Sequence, residues 1–145
     1  LFETISSGID NICTLGYDSI EEIYVVRNFM TKVLNNETAS PFYQLQKFFP
    51  KIFTCLRKKQ FEKLHDCMLM NITKGINDGL FRNDIDPEFT ARMYFTGLTG
   101  IKDTDIFPAT DFEVQELTGK FIEYHLRSIV TEKGFKTLLD KLTKF

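Results

Sequence analysis

Between Gln60 and Ile101 the sequence reads as a helix, a hard stop, a short elbow and a second helix start. Phe61, Leu64, Met68, Ile72 and Ile76 recur at steps of three and four, the apolar stripe of an amphipathic helix. Gly79 ends it, because glycine reaches a left-handed C-cap without a Cβ clash. Leu80 to Ile85 form the elbow, and Asp86 then offers a carboxylate to the free N–H groups of a new first turn. Pro87 follows at the first helical position, where its missing N–H costs nothing, and Glu88 adds charge that the helix dipole favours. A chain punctuated this firmly folds into two helices that meet at a defined angle.

The second of these helices is apolar on most sides. Phe89, Met93, Thr96, Gly97 and Gly100 share one face, and Ala91, Tyr94, Leu98 and Ile101 the opposite one. Only Glu88, Arg92 and Thr99 mark a polar strip. One core in a chain of 145 residues rarely covers both faces, so one is expected on the chain's own core and the other on a second subunit. Gly97 and Gly100 let a neighbouring helix approach, at roughly 1 kcal/mol each in helix propensity.

The remaining segments are helical as well. Leu1 to Leu15 carries Phe2, Ile5, Ile9 and Ile12 on one side and closes at Gly16. A start at Leu1, with no N-cap before it, reads as a helix cut from something longer. Asp18 to Asn36 follows, with Asp18 and Glu21 spaced as a capping box and Ile20, Ile23, Val26, Met30 and Val33 inward. Arg27 lies at the edge of that stripe; it either snorkels to water or points a charge into a ligand cavity. Pro41 opens a short helix to Phe49, Pro50 breaks it, and Lys51 to Lys59 continues with Ile52, Phe53 and Leu56 inward. This is the most aromatic part of the chain, and short broken helices with large side chains leave room for a cavity. Asp111 is placed to cap a long helix from Phe112 to Val130. Its polar stripe is Glu113, Glu116, Lys120, Glu123 and Arg127, and it has apolar flanks on both sides. Thr131 caps a last helix, Glu132 to Leu142. No strand pattern occurs, so the expected fold is an all-α antiparallel bundle of about eight helices in a single domain, residues 1–145.

Composition narrows the function. Net charge is −2 with the cations spread along the chain, which argues against a nucleic-acid-binding face in this segment. No apolar run reaches membrane-spanning length and no signal peptide opens the chain. Three widely spaced cysteines, Cys13, Cys55 and Cys67, do not read as a disulfide framework, and a reducing cytoplasm is the simpler setting. Glu62 and His65 have the spacing used in di-iron bundles, but those need two such motifs and further glutamates. His125 reads as structural. No nucleophile triad, phosphate loop or nucleotide fingerprint is present, so neither catalysis nor a cofactor is expected.

The run Gly75-x-x-x-Gly79-Leu80-Phe81-Arg82-x-Asp84-Ile85-Asp86-Pro87-Glu88 resembles the elbow in the C-terminal domains of TetR-type transcriptional regulators. The paired late helices, the second ending in Tyr124-His125-Leu126-Arg127, are similar too. Tyr43 to Lys51 and Gly97 to Asp103 resemble the subgroup of Bacteroidetes-type bacteria. The resemblance spans nearly the whole chain. It implies a cytoplasmic homodimer joined through a four-helix bundle, a small hydrophobic effector, and DNA contact only through an N-terminal helix-turn-helix absent from this sequence. Residues 1–15 then act as the connector to that head. The expected pocket residues are Phe29, Tyr43, Phe53, Cys55, His65, Met68 and Met93. The expected dimer residues are Tyr94, Gly97, Leu98, Ile101, Leu117, Phe121, Ile122, Leu126 and Ile129. The alternative is a helical protein-interaction module without a small-molecule ligand, whose aromatic middle is simply core.

Overall fold

The computed structural model describes residues 2–35 and 41–144, with side chains placed for residues 3–33 and 45–144. Seven helices occur among them: α1 Phe2–Cys13, α2 Ser19–Asn35, α3 Pro41–Phe48, α4 Pro50–Asn77, α5 Pro87–Gly100, α6 Val114–Ile129 and α7 Glu132–Leu142. The described residues contain no strand, only one isolated antiparallel bridge between Phe81 and Val130. None of the helices is long and apolar enough to cross a membrane.

Several boundaries differ from expectation, and two of them bear on the fold. The segments Lys51–Lys59 and Gln60 onward are one 28-residue helix, α4, which accounts for seven helices instead of eight. Pro50 sits at its first turn, where no N–H is needed, and no Gly or Pro interrupts residues 51–74. A drift of the apolar stripe past Lys59 was not a break. The second difference is α6, which starts at Val114 rather than Phe112. Pro108 and Asp111 belong to the preceding turn instead, where Phe112 N–H donates to the Pro108 carbonyl at 3.1 Å.

The other starts and stops follow their local chemistry. Asp18 accepts from Glu21 N–H at 2.8 Å at the head of α2. Asp86 accepts from the N–H groups of Glu88 and Phe89 at the head of α5. Thr131 accepts from Gly134 N–H at 3.0 Å at the head of α7. Gly79, at φ +74°, turns the chain out of α4, and the N–H groups of Leu80 and Phe81 both return to the Gly75 carbonyl.

The elbow after α4 is stitched to the α6–α7 junction. Arg82 N–H donates to the Ile129 carbonyl at 2.8 Å, and Thr131 N–H to the Leu80 carbonyl at 2.9 Å. The Thr131 hydroxyl reaches the Gly79 carbonyl at 2.6 Å. Between these bonds the Phe81 ring drops into the core directly over Gly75, where a Cβ would come within 2.2 Å of it. The core then runs from Ile20, Ile23 and Tyr24 through Met68 and Ile72 to Tyr94, Ile122, Leu126, Ile129 and Leu138. Lys141 closes α7 on α2, pairing with Glu21 at 2.9 Å and Asp18 at 3.7 Å.

Only one end of α4 takes part in this core. Its buried residues are Met68, Asn71, Ile72 and Gly75. Pro50 lies 18 residues before Met68, roughly 27 Å along the axis at 1.5 Å per residue. The first half of α4, with α3 beside it, forms an arm whose described side chains, from residue 45 on, are exposed or half-buried. α5 runs antiparallel to α4, since Phe61 meets Phe95 while His65 meets Glu88. The α5–α6 loop therefore lies at the arm end of the molecule, and the Gly79 elbow at the other.

Two glycine substitutions should act in opposite directions. Gly134→Ala places a Cβ 2.0 Å from the Leu80 carbonyl oxygen and should cost at least about 2 kcal/mol. Gly100→Ala meets nothing within 4 Å and should stabilise by about 0.5–1 kcal/mol through helix propensity. Urea unfolding of the two variants beside wild type measures both signs.

Candidate functional site

α2, α5 and α6 hold a set of polar groups against the core, apart from the buried Ser19, Glu22 and Asn71 between α2 and α4. Arg27, half-buried on α2, donates from Nη2 to the Gln115 carbonyl at 3.0 Å. Thr31, one turn on, donates to the Gln115 side chain at 3.2 Å. The guanidinium lies over Gly119, where an added Cβ would sit 3.2 Å from Nη2. Its Nε is buried with no hydrogen-bond partner, and Arg27 has no ion pair among the described residues. Tyr94 from α5 is buried beside it, its phenol held protonated by burial. Burial also pushes the Tyr24 phenol up; the Glu123 carboxylate adds to this and Arg27 opposes it.

His125 completes the set from α6. Its ring packs 4.6 Å from the Tyr94 ring and 6.5 Å from that of Phe121, centroid to centroid. Nε2 is buried without a hydrogen-bond partner. Burial brings its pKa down to about 4, so the imidazole is neutral near pH 7. A cation without a counter-charge and a neutral imidazole with an unused nitrogen can both serve an acceptor or donor brought in from outside.

The expected pocket residues do not gather around this set. Phe53, Cys55, His65 and Met68 span 16 residues of α4, about 22 Å of helix, which is too long to line one small cavity. Met68 is part of the core, Cys55 is exposed on the arm, and Met93 is exposed on α5. Phe29 packs its ring on Gly8 and holds α2 against α1. His65 bridges α4 to α5, 2.8 Å from Glu88 and 3.2 Å from Asp66; hydrogen bonds to Asp66 and then Glu88 raise its pKa. The Tyr43 side chain lies outside the described residues.

The expected dimer residues divide in two. Tyr94, Ile101, Leu117, Ile122, Leu126 and Ile129 are buried within the chain's own core, and Leu98 packs partly buried against it. These inward side chains are already occupied. Gly97 and Phe121 lie at the α5–α6 seam, the ring filling the space beside the glycine. Outward from that seam, Phe89 is 63% exposed and Tyr124 73%, with Met93 and Val114 also exposed. The sequence marks both faces of each helix as apolar, and periodicity alone does not say which one the core takes.

The cysteines hold a contact that spacing does not reveal. Cys13 on α1 and Cys67 on α4 bring their sulfurs to 4.0 Å as free thiols. Burial pushes Cys67 up to about 12 and also raises Cys13, so both stay protonated and unreactive near neutral pH. Beside them Asp10 pairs with Lys63, a second tie between α1 and α4. Among the described residues no group of three His, Cys, Asp or Glu side chains could hold a metal ion. No protein-family model, curated protein or solved structure matches the chain.

His125 sets a pH dependence of stability. Its pKa is lower in the folded chain than the ordinary 6.5, so the unfolded chain binds the proton more readily. Its stabilising contribution is full above about pH 6.5 and falls away as pH drops toward 4, by at most about 3 kcal/mol. His125→Gln should flatten the loss of stability between pH 7 and pH 5, as read by urea unfolding at both values.

Proposed function

We propose that this chain is the effector-binding and homodimerisation domain of a TetR-like transcriptional regulator. The observation that carries the reading is the two-sided use of α5 and α6. Their inner faces fill the core, yet Phe89, Met93, Val114 and Tyr124 leave an apolar outer surface across the pair. Two such faces brought together by a two-fold axis make a four-helix contact, the geometry of a homodimer. Phe121 and Gly97 lie at its centre, while the buried residues of both helices support it from below.

The interior cation supports the effector half of the reading. Arg27 and His125 stand in a setting of Tyr24, Tyr94 and Phe121, which suits a mostly apolar molecule bearing an acceptor oxygen. α1 is the connector. It is tied to α4 through Asp10–Lys63 and Cys13 against Cys67, and to α2 through Gly8 under Phe29. A molecule that shifts α2 or α4 moves α1 with them. It then favours one of two dimer states by its difference in affinity for them. DNA contact belongs to a separate helix-turn-helix, and no catalytic step is assigned.

Two measurements test the reading. Met93→Asp and Tyr124→Asp change exposed side chains and should leave folding intact while weakening self-association at least about tenfold. Dimers unchanged in both variants overturn the α5–α6 assignment. Native mass spectrometry of wild type should show a dimer retaining a small organic molecule, and Arg27→Gln should lose that mass. A clean monomer favours an interaction module without a ligand.

A further inference from the structure

The arm carries a concentrated charge in a chain that is acidic overall. Residues 38–61 contain Lys47, Lys51, Arg57, Lys58 and Lys59 and no acidic residue. None of these five cations has an ion pair among the described residues; Lys47 lies over the Phe48 ring at 5.4 Å. At the bend between α3 and α4, Phe48 is 65% exposed, with Phe49 and Ile52 exposed beside it. At 100° per residue Lys51, Ile52, Cys55, Lys58 and Lys59 share the outer face of α4, while Phe53, Leu56 and Gln60 turn inward. The result is an apolar tip rimmed by cations.

The α5–α6 loop is its counterpart. Residues 103–119 contain Asp103, Asp105, Asp111, Glu113 and Glu116 and no Lys or Arg. All five acids are exposed, and so are Ile106, Phe112 and Val114 among them. Of the five, only Glu116 has an ion pair among the described residues, with Lys120 one turn on at 3.3 Å. The loop is an apolar surface rimmed by acids, with as many charges as the arm and of opposite sign. No ion pair joins the two within one chain among the described residues.

We propose that the arm of one copy docks on the α5–α6 loop of a second copy, and reciprocally. The antiparallel run of α4 and α5 puts arm and loop at the same end of the molecule. A two-fold axis along the helices therefore sets each arm beside the partner's loop. Phe48, Phe49 and Ile52 meet Ile106, Phe112 and Val114, and the lysines meet the acids. Opposite rims steer the encounter and fix the register. The inference uses the homodimer proposed above and adds a second contact, electrostatic and centred on the α5–α6 loop, which adjoins the outer faces of α5 and α6 at Val114.

Charge exchange tests it on the whole chain. Two variants are made, Lys51→Glu, Lys58→Glu and Lys59→Glu together in the arm, and Asp105→Lys, Asp111→Lys and Glu113→Lys together in the loop, so that each rim reverses its net sign. Self-association of each and of their mixture is followed by sedimentation equilibrium. Wild type should dimerise, and should weaken roughly tenfold between 50 and 500 mM NaCl as the rims are screened. Each variant alone should dimerise at least about tenfold more weakly, because like charges then face each other. The mixture should associate at least about tenfold more tightly than either variant alone, since both contacts of the mixed dimer are again opposite in sign. Variants that dimerise as well as wild type overturn the arm–loop contact and leave the α5–α6 dimer standing, which Met93→Asp and Tyr124→Asp test independently. Weakened variants whose mixture shows no recovery overturn it equally. A wild type that stays monomeric overturns both contacts, and its binding to phosphatidylserine vesicles would then assign the arm to an anionic lipid surface.

Discussion

Phe81 over Gly75 is the contact on which the arrangement of the helices depends. The ring is the largest fully buried side chain among the described residues, and it occupies space that a Cβ at position 75 of α4 would fill. The same residue is held by backbone pairing on both sides, Leu80 to Thr131 and Arg82 to Ile129. One short elbow thus ties the end of α4, the end of α6 and the start of α7 together. Truncating a buried phenylalanine removes about 3–5 kcal/mol. Here the loss would also free the backbone stitching that aims α5 and α7, so the cost is architectural as well as local.

From that junction outward the helices become progressively less committed to the core. α6 and α7 are anchored near the elbow through Ile129, Leu126 and Leu138. α5 gives one face to the core and leaves Phe89 and Met93 outside. α4 gives only its last third. The polar set around Arg27 lies between α2 and α6, away from the elbow, where the core changes from aliphatic to mixed. The division is between an end stitched together by backbone bonds at the elbow and an end where Arg27 meets Gln115.

Much of the fold was legible because its punctuation is local. Asp86-Pro87, Thr131 and Gly79 act through bonds a few residues long, and the structure uses them as their chemistry requires. The join within α4 was not legible, because a rotation of the apolar stripe past Lys59 looks the same as a break when only one helix is read. The choice of inner face on α5 and α6 was also hidden, since Tyr94 and Phe89 are equally apolar and only the position of α2 and α4 decides between them. The site was less readable still. Arg27 signalled itself by its position at the edge of a buried stripe. Its carbonyl partner, Gln115, lies 88 residues away in sequence, and no periodicity links them. The pairing of Cys13 with Cys67 is hidden for the same reason.

The overhang of α4 has a consequence for how the molecule breathes. A helix of 28 residues whose buried side chains all lie in its last ten is not one cooperative unit. Its amides should open along a gradient. Those near Ile72 are released only by global unfolding, and those near Thr54 by fraying that never disturbs the core. Hydrogen exchange along this single helix thus spans the whole range of the domain's stability. Anything that settles on the free half would damp that fraying, and the ordering would be felt first at Lys63 and Cys67, where α1 rests on α4.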